Sequence, residues 1–235
     1  MQIADYRISP DPEGEYVAAQ PAYEILLERI LLGDYLPGAS LLEKEIAEDL
    51  GMSRTPVREA LLRLKLEGLI RVIPRVGIFV AEASVNKIRE VTEVRVILEE
   101  YLARMAVERC REELLAEFGN WLEKESAVWD RLPPKERKRR DEEFHVLMSR
   151  AAGNDTLARQ LTLLRNQAAL FWGQSLDRAS LEESLQDFKE AYDALRARDG
   201  ERCARVLCRH VLDNVERIQK FMKPQPLELA VSLER

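Results

Sequence analysis

Apolar residues recur three and four positions apart over most of this chain, and the pattern switches to alternation only around residues 69–80. Residues 23–32 form an amphipathic run closed by Gly33 and followed by a Pro37-Gly38 turn, which predicts a first helix. Residues 42–50 predict a short second helix with Leu42, Ile46, Ala47 and Leu50 turned inward. Gly51-Met52-Ser53 follows as a tight turn, with Gly51 placed to take a left-handed conformation. Thr55 is a good N-cap and Pro56 suits a first helical position, so a third helix starts there, burying Val57, Ala60, Leu61 and Leu64 and ending at Gly68. Leu69–Ile73 and Ile78–Val80 are β-prone runs around Pro74-Arg75-Val76-Gly77, a hairpin. Helix, helix-turn-helix and β-wing in that order predict a winged helix over residues 17–82, behind a flexible tail at 1–16.

Beyond residue 82 every run reads as helix. Segments 85–110, 112–129, 135–152, 155–173, 180–198 and 200–222 are separated by short breaks that include Pro133-Pro134 and Gly153. In the first of them Ile88, Val91, Val94, Val96, Leu98, Leu102 and Ala106 are available for burial. Pro224 and Pro226 end the pattern, leaving a tail at 224–235. The fold class is therefore mainly α: a winged helix-turn-helix followed by an antiparallel bundle of six or seven helices over 83–223.

Charge changes this picture at one place. Arg54 precedes the predicted cap and Arg58 falls in the first turn, at the capping-box position, where the helix dipole disfavours cations. A polyanion in front of the helix would account for that, so this is a DNA-recognition helix. Between Ser53 and Arg75 six cations face two anions, while the whole chain carries a net charge of -6, which confines DNA binding to one face. No stretch approaches the roughly 20 apolar residues of a membrane span, and the start lacks a signal-peptide layout. Three cysteines without a CxxC pattern suit a reduced, cytoplasmic protein. The basic run Lys135, Arg137, Lys138, Arg139 and Arg140 reads as a solvated face, since Glu136, Asp141, Glu142 and Glu143 flank it. Trp121, Trp129 and Phe171-Trp172 read as core or dimer contacts. Nucleophile elbow, phosphate-binding glycine loop and HExxH are all missing, so catalysis is not expected.

Leu36-Pro37-Gly38, Leu41-Leu42-Glu43, Ile46-Ala47, the run from Leu50 to Leu61, Glu67-Gly68-Leu69 and Gly77-Ile78-Phe79-Val80 resemble the amino-terminal domain of GntR-type bacterial transcription regulators. Glu93-Val94-Arg95 with Glu99, Asp141 to His145, Ala151 to Asn154 and Ala194 to Asp199 are similar to the all-helical effector domain of the FadR branch (FCD-type). The resemblance implies a homodimer on a palindromic operator, acting as a repressor, with a small organic acid or acyl derivative as effector. It implies that Arg54 and Arg58 meet the major groove or its phosphates. Ser53 belongs to the same interface, with Lys44 and Thr55 on the backbone and Arg75 and Gly77 at the minor groove. A helical domain that only dimerises is the alternative, and a purely apolar bundle interior would favour it.

The same resemblance implies a metal held by one Asp and three His. Asp141 and His145, at i and i+4, match two ligands and His210 a third. The remaining position is Phe188, which cannot ligate, and the chain has only two His. Tyr192 or Asp187 lie close by in sequence without matching. Three outcomes stay open: a three-ligand site, zinc first with nickel or manganese allowed; a metal-free polar pocket that Phe188 makes more apolar; or a surface Asp–His contact. Arg95 matches a family arginine suited to an anionic effector, or else pairs with Glu99 one turn on. Asn154 is either an effector contact or an N-cap.

Overall fold

The computed structural model describes residues 19–82, 84–172 and 178–221. The expectations for both tails and for stops at Pro224 and Pro226 lie outside these residues, as do the side chains of Phe171 and Trp172.

Three helices and a hairpin form the first layer: α1 (Gln20–Leu31), α2 (Glu43–Leu50), α3 (Arg54–Leu66), β1 (Ile70–Ile73) and β2 (Gly77–Val80). Their shared core holds Tyr23, Leu26, Ile46, Val57, Leu61, Leu64, Leu69 and Val80. Gly51 closes α2 with φ 63°, and Met52 N–H returns to the Ala47 carbonyl at 3.0 Å, which sets the tight turn into α3. The strands pair antiparallel, Ile70 opposite Val80 and Ile73 opposite Gly77, and Arg75 sits at the tip with φ 65°. Two details of the sequence expectation are corrected. Ser53, not Thr55, is the N-cap of α3, so Pro56 falls at the third helical position and Arg58 beyond the capping box. Leu42 caps α2 and is 50% exposed, because the preceding Leu41 takes the core position and Leu42 points away from it.

Six helices follow among the described residues: α4 (Val85–Arg109), α5 (Glu112–Val128), α6 (Pro134–Ala152), α7 (Asp155–Trp172), α8 (Arg178–Arg196) and α9 (Gly200–Phe221), with a 3₁₀ turn at Trp129–Arg131. Ser84 caps α4, its Oγ accepting from Lys87 N–H at 3.1 Å, and Gly153 stops α6 with φ 58°. Leu102, Phe118, Trp129, Phe144, Met148, Leu161, Phe188 and Leu207 fill the bundle. Val94, expected inside, is 48% exposed, since α4 turns a different face to its neighbours.

The basic run on α6 is not a solvated face. Arg137 and Lys138 are buried. Arg137 donates to the Trp129 carbonyl at 3.0 Å, and Lys138 donates to the Leu31 carbonyl on α1. Arg139 pairs with Glu28 at 2.6 Å, and Lys135 pairs with Asp34. Apart from Trp129, these partners lie about a hundred residues away in sequence, out of reach of a flanking-charge rule. Leu170 of α7 completes the contact by entering the core of the winged helix.

Candidate functional site

The helix-turn-helix presents Ser53, Arg54, Thr55 and Arg58 on its exposed side, with no acid in the first turn of α3. Arg58 is held from below: its Nη2 donates to Glu43 Oε2 at 2.9 Å, which fixes the direction of the guanidinium. Lys44 is exposed and stands 3.7 Å from Glu48. Arg54 and Arg75 are exposed and make no ion pair among the described residues. Gly77, beside Arg75, has φ 152° and would bring an added Cβ to 3.4 Å from the Phe79 ring. Arg63, counted among the cations of this region, folds inward instead. It stacks over Tyr23 at 3.5 Å and bonds Glu67 and Gln20. The remaining exposed cations, Arg54, Arg58, Lys65, Arg71 and Arg75, share α3 and the hairpin, the geometry a duplex requires.

A second group of polar residues lies inside the bundle. Asp141 and His145 come from α6, His210 from α9, and ligand atoms of all three lie within 4.8 Å of one another. His210 is gripped at both ring nitrogens, Nδ1 at 3.1 Å from Asp187 Oδ2 and Nε2 at 3.1 Å from Asp141 Oδ1. His145 Nε2 stands 3.9 Å from Asp141 Oδ2 and 3.3 Å from Arg95 Nη2. Arg95 is buried, reaching Glu99 Oε1 at 3.3 Å, and Arg165 of α7 forks onto Glu99 with two bonds of 2.9 Å. Phe188 of α8 is fully buried, stacked on Phe144 at 4.2 Å and 5.8 Å from the His210 ring. It forms an apolar wall of the group. Asn154, by contrast, accepts at Oδ1 from Leu157 N–H at 3.0 Å and caps α7. Its cap bond accounts for its polarity.

The two histidines are driven apart. Burial would push His210 down, but the hydrogen bonds it donates to Asp141 and Asp187 outweigh it and raise the pKa to about 9. Burial, reinforced by Arg165 and Arg95, holds His145 well below the usual range, so its ring is neutral. Glu99 would be raised by burial, yet Arg165 and Arg95 keep it ionised. His145 Nδ1 is buried without a hydrogen bond, and Asp141 Oδ1 is buried with His210 Nε2 as its close contact. The convergence of these three ligand-type side chains, with His145 Nδ1 left without a hydrogen bond, fits a divalent ion held by Asp141, His145 and His210 with open positions.

Asp187 and Arg165 were not singled out for these roles from the sequence. Arg165 had a signal: it falls at helical spacing within the apolar stripe Ala158, Leu161, Ala168, Ala169, where a charge must be paired. Glu99 does the same in the stripe from Ile88 to Ala106. Asp187 had none, because its partner lies 23 residues on in another helix.

A model described as FCD domain matches residues 90–213, and one described as bacterial regulatory proteins, gntR family, matches residues 18–80. The chain is similar to the HTH-type transcriptional regulator McbR of Escherichia coli strain K12, 28% identical over 193 residues, 81% of this chain and 87% of the relative. It is 27% identical over 203 residues to the HTH-type transcriptional repressor RspR of the same organism, covering 86% and 89%. The solved structure of E. coli McbR/YncC superposes with a TM-score of 0.79 at 26% identity, covering 86% of this chain and 97% of that one.

Proposed function

Because the chain belongs to the bacterial GntR family of regulators and carries its FCD domain, we propose that it is a homodimeric repressor released from a palindromic operator by a small organic acid. At the coarser level it is a DNA-binding transcriptional regulator, and its families and relatives are regulators, not enzymes. The name of RspR, a repressor, supports the direction of regulation.

The observation that carries the sensor reading is the ionised group inside the bundle. A domain serving only to dimerise gains nothing from burying Arg95, Glu99, Arg165, Asp187 and two histidines, because buried charge costs more than apolar packing. Asp141, His145 and His210 would hold a divalent metal, zinc by ligand type, and the metal would supply a Lewis-acidic position for an effector carboxylate. Arg95 would add charge-assisted hydrogen bonds to that carboxylate, and Phe188 would line the apolar side. Homodimerisation is supported by an exposed apolar stripe: Val94, Ile97 and Tyr101 follow one another on α4 at helical spacing, with Leu212 on α9 nearby.

One observation favours a metal-free version of the same pocket. Arg95 Nη2, at 3.3 Å from His145 Nε2, already offers that nitrogen a proton, and Phe188 stands where the family resemblance calls for a fourth ligand. Elemental analysis of wild type, His145→Ala and Phe188→His separates the two. Stoichiometric metal in wild type that His145→Ala loses supports the three-ligand site. Metal gained only by Phe188→His means this phenylalanine switched the site off.

A further inference from the structure

Among the described residues, Lys138 is the one buried ammonium that neither the DNA face nor the pocket accounts for. It is 5% exposed, and its Nζ donates to the carbonyl of Leu31, the last residue of α1. Helix carbonyls there lack internal partners and carry the negative end of the dipole, so a cation is well placed. One turn along α6 stand Glu142 and Asp141, i+4 and i+3 from Lys138, whose negative charges favour the same ammonium. Burial lowers Lys138 to about 8, which leaves it protonated at neutral pH. A single charge thus stands between the end of a DNA-binding-domain helix and Asp141 of the buried cluster, with Glu142 beside it.

The second strut has the same plan. Arg165 of α7 grips Glu99 inside the cluster, and two residues on Gln167 Nε2 donates to the Glu67 carbonyl at 2.9 Å, just beyond α3. Leu170, the next turn, is part of the winged-helix core. Both α6 and α7 therefore carry a cluster residue within a turn of a contact to the carboxyl end of a winged-helix element. Since α1 packs against α3, a shift of α1 is felt by the recognition helix.

We propose that Lys138 is the positioning residue that passes the charge of the buried cluster to α1 and so to the recognition helix. This rests on the sensor reading above. A cation among Asp141, His145 and His210 takes up the charge of Asp141, weakens its pull on Lys138 and tightens the Lys138–Leu31 contact. A bound anion acts the other way. Occupancy of the pocket thereby sets how firmly the winged helix is docked, through a contact that touches neither ligand nor DNA.

Hydrogen–deuterium exchange of the full-length protein, followed at residues 23–36, tests this in a double-mutant cycle. Asp141→Asn is expected to change α1 protection several-fold in the wild-type background and to leave it unchanged beside Lys138→Met. Lys138→Arg, which keeps the charge, is expected to retain the response, which lost packing alone would not explain. Added zinc chloride should shift the same peptide in wild type and not in Lys138→Met, with zinc affinity, measured against a chromophoric chelator, similar in the two. An Asp141→Asn effect that is equal in both backgrounds, or absent from both, would overturn the proposal. A coupled cycle in a protein that binds no zinc would support the role of Lys138 and overturn the metal reading alone.

Discussion

Arg54 and Arg58 differ in a way that sequence could not reveal: Arg58 is tethered to Glu43, whereas Arg54 stands without an ion pair among the described residues. If Arg58 reads a guanine, Arg58→Ala costs about 1–3 kcal/mol of operator affinity and relaxes specificity at that base pair. Glu43→Gln should alter specificity less than affinity, since it frees a guanidinium that is already present. Gel-shift titration over operator variants measures both, and unchanged affinity in Arg58→Ala would remove this side chain from the interface. The histidines predict a pH profile for metal-stripped protein. The raised pKa of His210 stabilises the fold fully below about 6.5 and loses that contribution as pH rises through about 9, a range worth on the order of 3 kcal/mol. His145, depressed and neutral, is protonated more readily in the unfolded chain, so stability also falls as pH drops below 6.5. Denaturant melts should peak near pH 6.5, and Asp187→Asn should flatten the alkaline limb. A profile unchanged by that substitution would contradict the grip on His210.

Elements were far more legible than their ends. Helical periodicity located all three winged-helix helices and the six of the bundle, because burial on one face leaves a 3.6-residue signature in any sequence. Ends depend on a few dihedrals, and so the α3 cap moved from Thr55 to Ser53 while both residues remained plausible caps. Asn154 is a case where the local rule sufficed: its Oδ1 meets Leu157 N–H at 3.0 Å, and Asn154→Ala should cost about 1 kcal/mol, read by thermal denaturation. A loss of effector response larger than that destabilisation explains would restore it to the pocket. The basic run on α6 was misjudged for a different reason. Flanking acids describe what a helix offers its own neighbours, whereas Lys138 and Arg139 answer to Leu31 and Glu28 across the interface. Long-range pairing of this kind, like that between Asp187 and His210, leaves no periodic trace.

At the scale of the molecule, a net charge of -6 spread over a chain with one cationic face suits a protein that binds DNA by a single surface. The apolar stripe of Val94, Ile97 and Tyr101 is the matching feature on the bundle. Placing a charge there, as in Ile97→Glu, should convert dimer to monomer in light scattering and weaken binding to a two-half-site operator far more than to a half-site. A dimer that survives the substitution would move the interface elsewhere. Together, the cationic face, the stripe and the buried cluster support the proposal of a DNA-binding regulator that senses a small molecule in its middle. The most direct test is an anisotropy titration of operator DNA against wild type and His145→Ala. Each is measured with chelator, with zinc, and with zinc plus a mixture of short-chain organic acids. Wild-type affinity should shift between these conditions and that of His145→Ala should not; identical isotherms for both proteins in all three would contradict a sensing role for the buried cluster.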